Sequence, residues 1–121
     1  MTKNMTSPPR QQIVRKDLLT ALIAGGEHVS RVEIKRIDLA PGQRIGRHFH
    51  PCPVVGYVAT GTILFQIEGG PPEFLHAGGA FFEPANIEIA HFDNASPQEP
   101  ATFVAFYLLG KDDQELIEML E

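Results

Sequence analysis

The sequence predicts an all-β domain, a β-sandwich or small barrel of seven or more short strands. Three observations carry that expectation. Eight of the 11 glycines and eight of the 10 prolines fall between Pro41 and Pro100, every few residues, a punctuation that suits tight turns between short strands. From Val32 onward the apolar residues recur with a period of two, not 3.6. The chain of 121 residues, 43% hydrophobic and 21% charged, has the composition of one globular core and no room for a second.

Taken in order, residues 1–12 are polar, contain Pro8-Pro9 and lack apolar periodicity, so they read as a mobile N-terminal arm. Ile13 to Ile23 places Ile13, Val14, Leu18, Leu19, Leu22 and Ile23 at a spacing that fits a short helix ended by Gly25-Gly26, or a strand followed by a turn. In Val32 to Leu39 the apolar parity switches around Lys35-Arg36, which calls for a β-bulge or for burial on both faces. Strands are expected over 44–50, 54–59, 62–68, 73–75, 80–84, 86–92 and 102–109, the last apolar throughout and so covered on both sides. Ile87, Ile89 and His91 are expected to share one face of the strand over 86–92. The domain thus spans 13–110, and the extension 111–121 reads either as a short helix capped by Asp112 or as an edge strand packing on the barrel.

Ten Lys and Arg against 15 Asp and Glu give a formal net charge of -5, which argues against nucleic acid or an anionic membrane as partner. No apolar run approaches the roughly 20 residues of a membrane span, and the N-terminus lacks a signal peptide's apolar core, so a cytoplasmic protein is expected. Cys52 is the one cysteine, which excludes an intrachain disulfide and any zinc site built from several thiolates. Between Pro51 and Pro53 it reads as incidental rather than as a soft ligand. Neither a Gly-rich phosphate loop nor a G-x-S-x-G nucleophile motif is present.

Chemistry is expected at the histidines. His48 and His50 flank Phe49 on one strand, and residues i and i+2 of a strand point to the same side, so both imidazoles can reach one point. Two nitrogen donors held that way suit Fe, Mn, Ni, Zn or Cu, with further ligands drawn from another strand; no organic cofactor is expected. His28 and His76 lie near turns and read as solvated, and Glu83, before Pro84 at a strand end, reads as a turn-capping carboxylate and only a weak general-base candidate.

The segment from Pro41 to Gly61, P-G-Q-R-I-G-R-H-F-H-P-C-P-V-V-G-Y-V-A-T-G, and that from Gly78 to Asn94, G-G-A-F-F-E-P-A-N-I-E-I-A-H-F-D-N, resemble the two motifs of the cupin superfamily, specifically its small single-domain members. Gly42, His48, His50 and Gly61 match the first motif, and Gly78, Pro84 and Asn94 the second. The resemblance covers about residues 32–109. It implies an RmlC-like jelly roll, a double-stranded antiparallel β-barrel that usually pairs into a homodimer and holds a divalent metal by three histidines and one glutamate.

Two of those four ligands are replaced. The glutamate position falls on Val54 or Val55 and the second-motif histidine on Ile89. His91, two residues further on the expected inward face and about 7 Å along the strand, is expected either to complete a three-histidine site with His48 and His50 or to hydrogen-bond inside a ligand pocket. Val54, Gly56, Ile63, Phe65, Ile67 and Ile89 share the inward parity and are expected to line that pocket around a small-molecule ligand, Gly56 by leaving room, while Tyr57 faces outward. The resemblance implies a metal-dependent oxygenase, isomerase or decarboxylase; the missing ligands point instead to a metal-free binding or sensing cup. Phe49, on the outward face, is the one hint of a protein partner, and a homodimer accounts for it equally.

Overall fold

The computed structural model describes residues 12–23 and 28–120. The expected arm over 1–12, apart from Gln12, and the Gly25-Gly26 turn lie outside them. Among the described residues there is no helix, none therefore long and apolar enough to cross a membrane, and nine strands form two antiparallel sheets: β1 (Arg31–Leu39), β2 (His48–Phe49), β3 (Val54–Thr60), β4 (Thr62–Ile67), β5 (Glu73–His76), β6 (Ala80–Glu83), β7 (Ile89–Asn94), β8 (Ala101–Leu109) and β9 (Glu118–Met119). One sheet has the order β1-β8-β3-β6 and the other β5-β4-β7-β2-β9, the small barrel that turn spacing and period-two patterning predict, in the jelly-roll form that the motif resemblance implies.

Residues 13–23 form neither helix nor strand. Lys16–Ala21 and Ile23 instead lie against the outer face of the first sheet, bordering Val55, Tyr57, Phe106 and Leu108. Contact with the sheet is partial: Leu19 and Ile23 are 42% and 37% exposed, while Ile13, Val14 and Leu22 stay largely in solvent. The parity switch in β1 has neither of its two expected explanations. Its register with β8 is unbroken from Arg31↔Leu109 to Leu39↔Ala101, so Ile37 and Leu39 turn toward the interior while Val32 and Ile34 stand on the outer face, 49% and 62% exposed. No bulge is needed.

The core is an aromatic plug. Phe65, Phe81, Phe92 and Phe103 meet in tilted and edge-to-face pairs with ring centroids 4.6 to 6.3 Å apart. Each such buried ring contributes about 1.5–3 kcal/mol of transfer free energy. Their bulk fills one end of the barrel. Asn94 organises the adjoining loop: its side-chain nitrogen donates to Ala40 O and Glu99 O, and its oxygen accepts from Ser96 N. Gly61 is constrained twice over. Its φ is +83°, and a β-carbon there would sit 2.8 Å from that of Ala101.

The strand expected over 44–50 is short, because Gly46 takes a φ of +94° and only His48 and Phe49 join the ladder, with Arg44 making an isolated bridge to Asp93. The strand expected over 86–92 begins at Ile89, since Asn86 adopts a left-handed turn conformation with φ +63° and Ile87 is exposed. A register shift follows inside β7. Gln66 pairs with His91 but Ile67 pairs with Ile89, so Ala90 is an extra residue. That bulge reverses the parity, and Ile89 and Phe92 both face inward while His91 does not.

Residues 111–120 return across the barrel. Asp113 Oδ2 accepts from Gly110 N, Leu120 N donates to Arg47 O at 2.8 Å, and β9 pairs with β2 as an edge strand.

Candidate metal centre

Three buried polar side chains converge inside the barrel: His48 and His50 from the start of the second sheet, and Glu83 from the end of β6. His48 Nε2 stands 3.3 Å from Glu83 Oε1 and His50 Nε2 3.2 Å from Glu83 Oε2. The imidazole rings are 4.9 Å apart and nearly perpendicular. All three residues are less than 5% exposed. The three form a group that could hold a metal ion, since their ligand atoms lie within 4.8 Å of one another.

The protonation pattern shows why this group suits a cation. His48 Nδ1 is 2.8 Å from Gly46 O and His50 Nδ1 is 2.6 Å from Leu116 O. A carbonyl oxygen only accepts, so each Nδ1 carries a proton. A neutral imidazole then aims its Nε2 lone pair at a carboxylate that also only accepts. Nothing in that arrangement donates unless a proton or a metal ion joins it. The charge-state preferences agree. Burial lowers the His48 pKa, but the bond to Glu83, the Gly46 carbonyl and the charges of Glu83 and Asp93 outweigh it and raise the value above its ordinary 6.5. Burial likewise raises that of Glu83, yet the bonds and charges of both histidines hold it below 4.5.

Beside the triad lies a cavity of about 250 Å³, walled by Ile37, Ile45, Val54, Phe92, Phe103, Ala105, Tyr107 and Ile117. Of the residues expected to line a pocket, Val54 does so. Ile63, Phe65 and Ile89 are instead buried in the core, and Ile67 packs against it. The space under Gly56 holds the Phe81 ring, not a ligand: a β-carbon there would stand 2.6 Å from Phe81 Cζ. The aromatic plug thus displaces the cavity toward β1, β8 and the C-terminal segment.

His48 and His50 are brought together as expected; His91 is not brought to them. The bulge at Ala90 turns it out of the barrel, where Nδ1 lies 2.8 Å from Asp93 Oδ2 and the side chain is 39% exposed beside Arg44 and Arg47. Glu83 takes the third place, a residue that sequence reasoning set aside as a turn cap. Its signal was parity: Glu83 follows Phe81 by two on a strand whose inward face is apolar, an unusual place for a carboxylate without a partner. Its position is also instructive. Val54 pairs directly with Glu83, and Ile89 directly with His48, so the carboxylate lies on the strand neighbouring the one where the motif resemblance implies it. His28 and His76 are exposed, and Cys52 is fully buried, its thiol pushed up to about 11 by burial and then by Asp113, which leaves it inert at neutral pH.

The family model for the cupin domain matches residues 35–107. The chain belongs to the cupin family. Among solved structures, this cupin is similar to oxalate oxidase in complex with the substrate analogue glycolate, at 26% identity and a TM-score of 0.57 over 64% of this chain and 41% of that one. A cupin-like protein from Thermotoga maritima has 23% identity and a TM-score of 0.64 over 82% and 71% of the two chains. The DMSP lyase DddQ from Ruegeria pomeroyi has 18% identity and a TM-score of 0.61 over 73% and 42%. The cupin chain spans less than half the length of either enzyme. No curated protein matches it.

Proposed function

We propose that this cupin is a metal-dependent enzyme acting on a small molecule, with His48, His50 and Glu83 as the metal ligands. One observation carries the reading: two buried imidazoles, each fixed by a backbone carbonyl in the Nδ1–H form, aim their free nitrogens at one buried carboxylate. Two histidines and one carboxylate are the donor set of open-sided non-haem iron and other divalent-metal sites. An ion bound there supplies Lewis acidity and leaves positions open to a substrate oxygen. The chain's own residues do the rest. The carbonyls of Gly46 and Leu116 orient the imidazoles, Glu83 supplies the negative charge, and the apolar walls exclude water from the reacting group. The likeness to oxalate oxidase, whose structure contains glycolate, supports a small-molecule ligand.

Calorimetric titration of metal-stripped protein with Fe(II), Mn(II), Ni(II), Zn(II) and Cu(II) tests the reading. Saturable binding of one ion per chain, abolished in His50→Ala, is expected. No retained ion under any condition, with His50→Ala indistinguishable from wild type, would leave a metal-free ligand cup in its place.

The exposed Val32 and Ile34 on the outer face of β1 support a second part of the proposal, that two copies pair through this sheet. Light scattering should give the mass of a dimer, and Ile34→Lys that of one chain.

A further inference from the structure

Tyr107 has no role in the triad, yet it lines the same cavity. It lies on β8 beside Val54, which pairs on its other side with Glu83, so Tyr107, Val54 and Glu83 form one row across the inner face of the sheet. Its ring meets that of His50 edge-on at 5.7 Å. The residue is only 8% exposed, and its hydroxyl has no hydrogen-bond partner among the described residues. A buried hydroxyl left unpaired costs about 1–3 kcal/mol. Tyr107 lines the apolar cavity next to the metal ligands, where a bound molecule can satisfy it.

Charge narrows what that molecule is. Among the described residues, Glu83 is the only carboxylate on the cavity wall, and neither Lys nor Arg lines it. A divalent ion beside one carboxylate leaves one net positive charge in a buried site, and such a charge is costly unless an anion meets it. One anionic group cancels it. A second would rest against Ile37, Phe92 and Phe103 with no cation to receive it. The volume, about 250 Å³, exceeds the roughly 150 Å³ of an apolar cavity that accepts benzene, so the body has the size of one ring or a short branched chain.

We infer that the cavity binds a small monocarboxylate with an apolar body, and that the Tyr107 hydroxyl donates a hydrogen bond to its carboxylate. The inference rests on the metal-centre reading above. Zn(II)-loaded protein, its stoichiometry measured beforehand, is titrated with cyclohexanecarboxylate, with the neutral cyclohexylmethanol and with the dianion glutarate. Cyclohexanecarboxylate is expected to bind at least about tenfold more tightly than either, and Tyr107→Phe to weaken it about tenfold or more while leaving zinc affinity unchanged. Glutarate or the alcohol binding as tightly, or Tyr107→Phe binding the monocarboxylate undiminished, overturns the inference alone. Failure of the wild type to take up zinc or any of the other four ions overturns the metal centre and this inference with it; if another ion binds and zinc does not, the titration is run with that ion. Should Tyr107→Phe not fold, the ranking of the three probes on wild type decides.

Discussion

His50 Nδ1 donates a 2.6 Å hydrogen bond to the carbonyl oxygen of Leu116, a residue 66 positions away in the C-terminal segment. The tail is therefore part of the site. It fixes which nitrogen of His50 is free, and Ile117 next to it walls the cavity. Such outer partners of a metal-binding imidazole are worth about 10- to 100-fold in affinity. A chain ending at Asp113 is expected to lose metal affinity by that factor in a chelator-competition titration. Leu116→Ala keeps the carbonyl and is expected to stay near wild type. Equal affinity in the truncated chain would mean that the bond does not orient His50.

Glu83 and His91 give opposite expectations for the same measurement. Glu83→Gln keeps size and burial but removes the anionic donor, so metal retained after dialysis should fall to the level of His50→Ala. The uncharged amide also leaves the buried His48, whose charged form Glu83 favours, without a counter-charge, and the metal-free variant should lose about 3 kcal/mol in urea unfolding near pH 6. His91→Ala, which alters a half-exposed side chain paired to Asp93, should keep full metal content. Loss of metal in His91→Ala together with retention in Glu83→Gln would reverse the assignment.

Metal-free protein should be most stable in mildly acidic solution. The His48 pKa is raised in the folded state, so its contribution is complete below about 6.5 and is lost as pH rises through the higher folded value. That of Glu83 is lowered, so its contribution is present above about 4.5 and is lost as pH falls through the lower folded value. The two overlap between those ordinary values. Melting temperature against pH should peak there and decline toward pH 8. Zinc, which takes the place of the His48 proton, should remove the alkaline decline, and its affinity should weaken as pH falls. A metal-free profile flat from pH 5 to 8 would contradict this account.

What could be read from sequence divides along physical lines. The barrel was legible because its landmarks are local: Gly61 and Asn94 sit at turns whose backbone demands them, β4 alternates, and β8 carries an unbroken apolar run of strand length. His48 and His50 were legible because two residues on one strand share a side whatever the rest of the chain does. The third member was not, because it depends on which strand lies beside β3 and on where register slips. Strand parity carries over only until a bulge, and the extra residue at Ala90 sent His91 outward while Val54 drew Glu83 beside it. Pocket walls were hidden for a related reason. Inward parity marks a side chain as interior, but whether it borders a cavity or a packed ring depends on how four phenylalanines from four strands share the barrel.

Gly56 illustrates that last point and can be tested. A β-carbon there would fall 2.1 Å from Val104 O and 2.6 Å from Phe81 Cζ, so the position is closed by backbone and by an aromatic ring. Gly56→Ala is expected to cost about 1–3 kcal/mol in urea unfolding, as overpacked cores do, and to leave metal affinity unchanged because the triad is not its neighbour. Phe81→Leu should relieve part of that cost in the double variant, a coupling expected between groups in contact, though not the part owed to the Val104 carbonyl. Gly69→Ala is the control. Nothing lies within 4 Å of its β-carbon, and its φ of +81° alone should cost about 1–2 kcal/mol, with no relief from Phe81→Leu. If Gly56→Ala instead weakened monocarboxylate binding without loss of stability, the space beneath it would belong to the ligand cavity and not to the core.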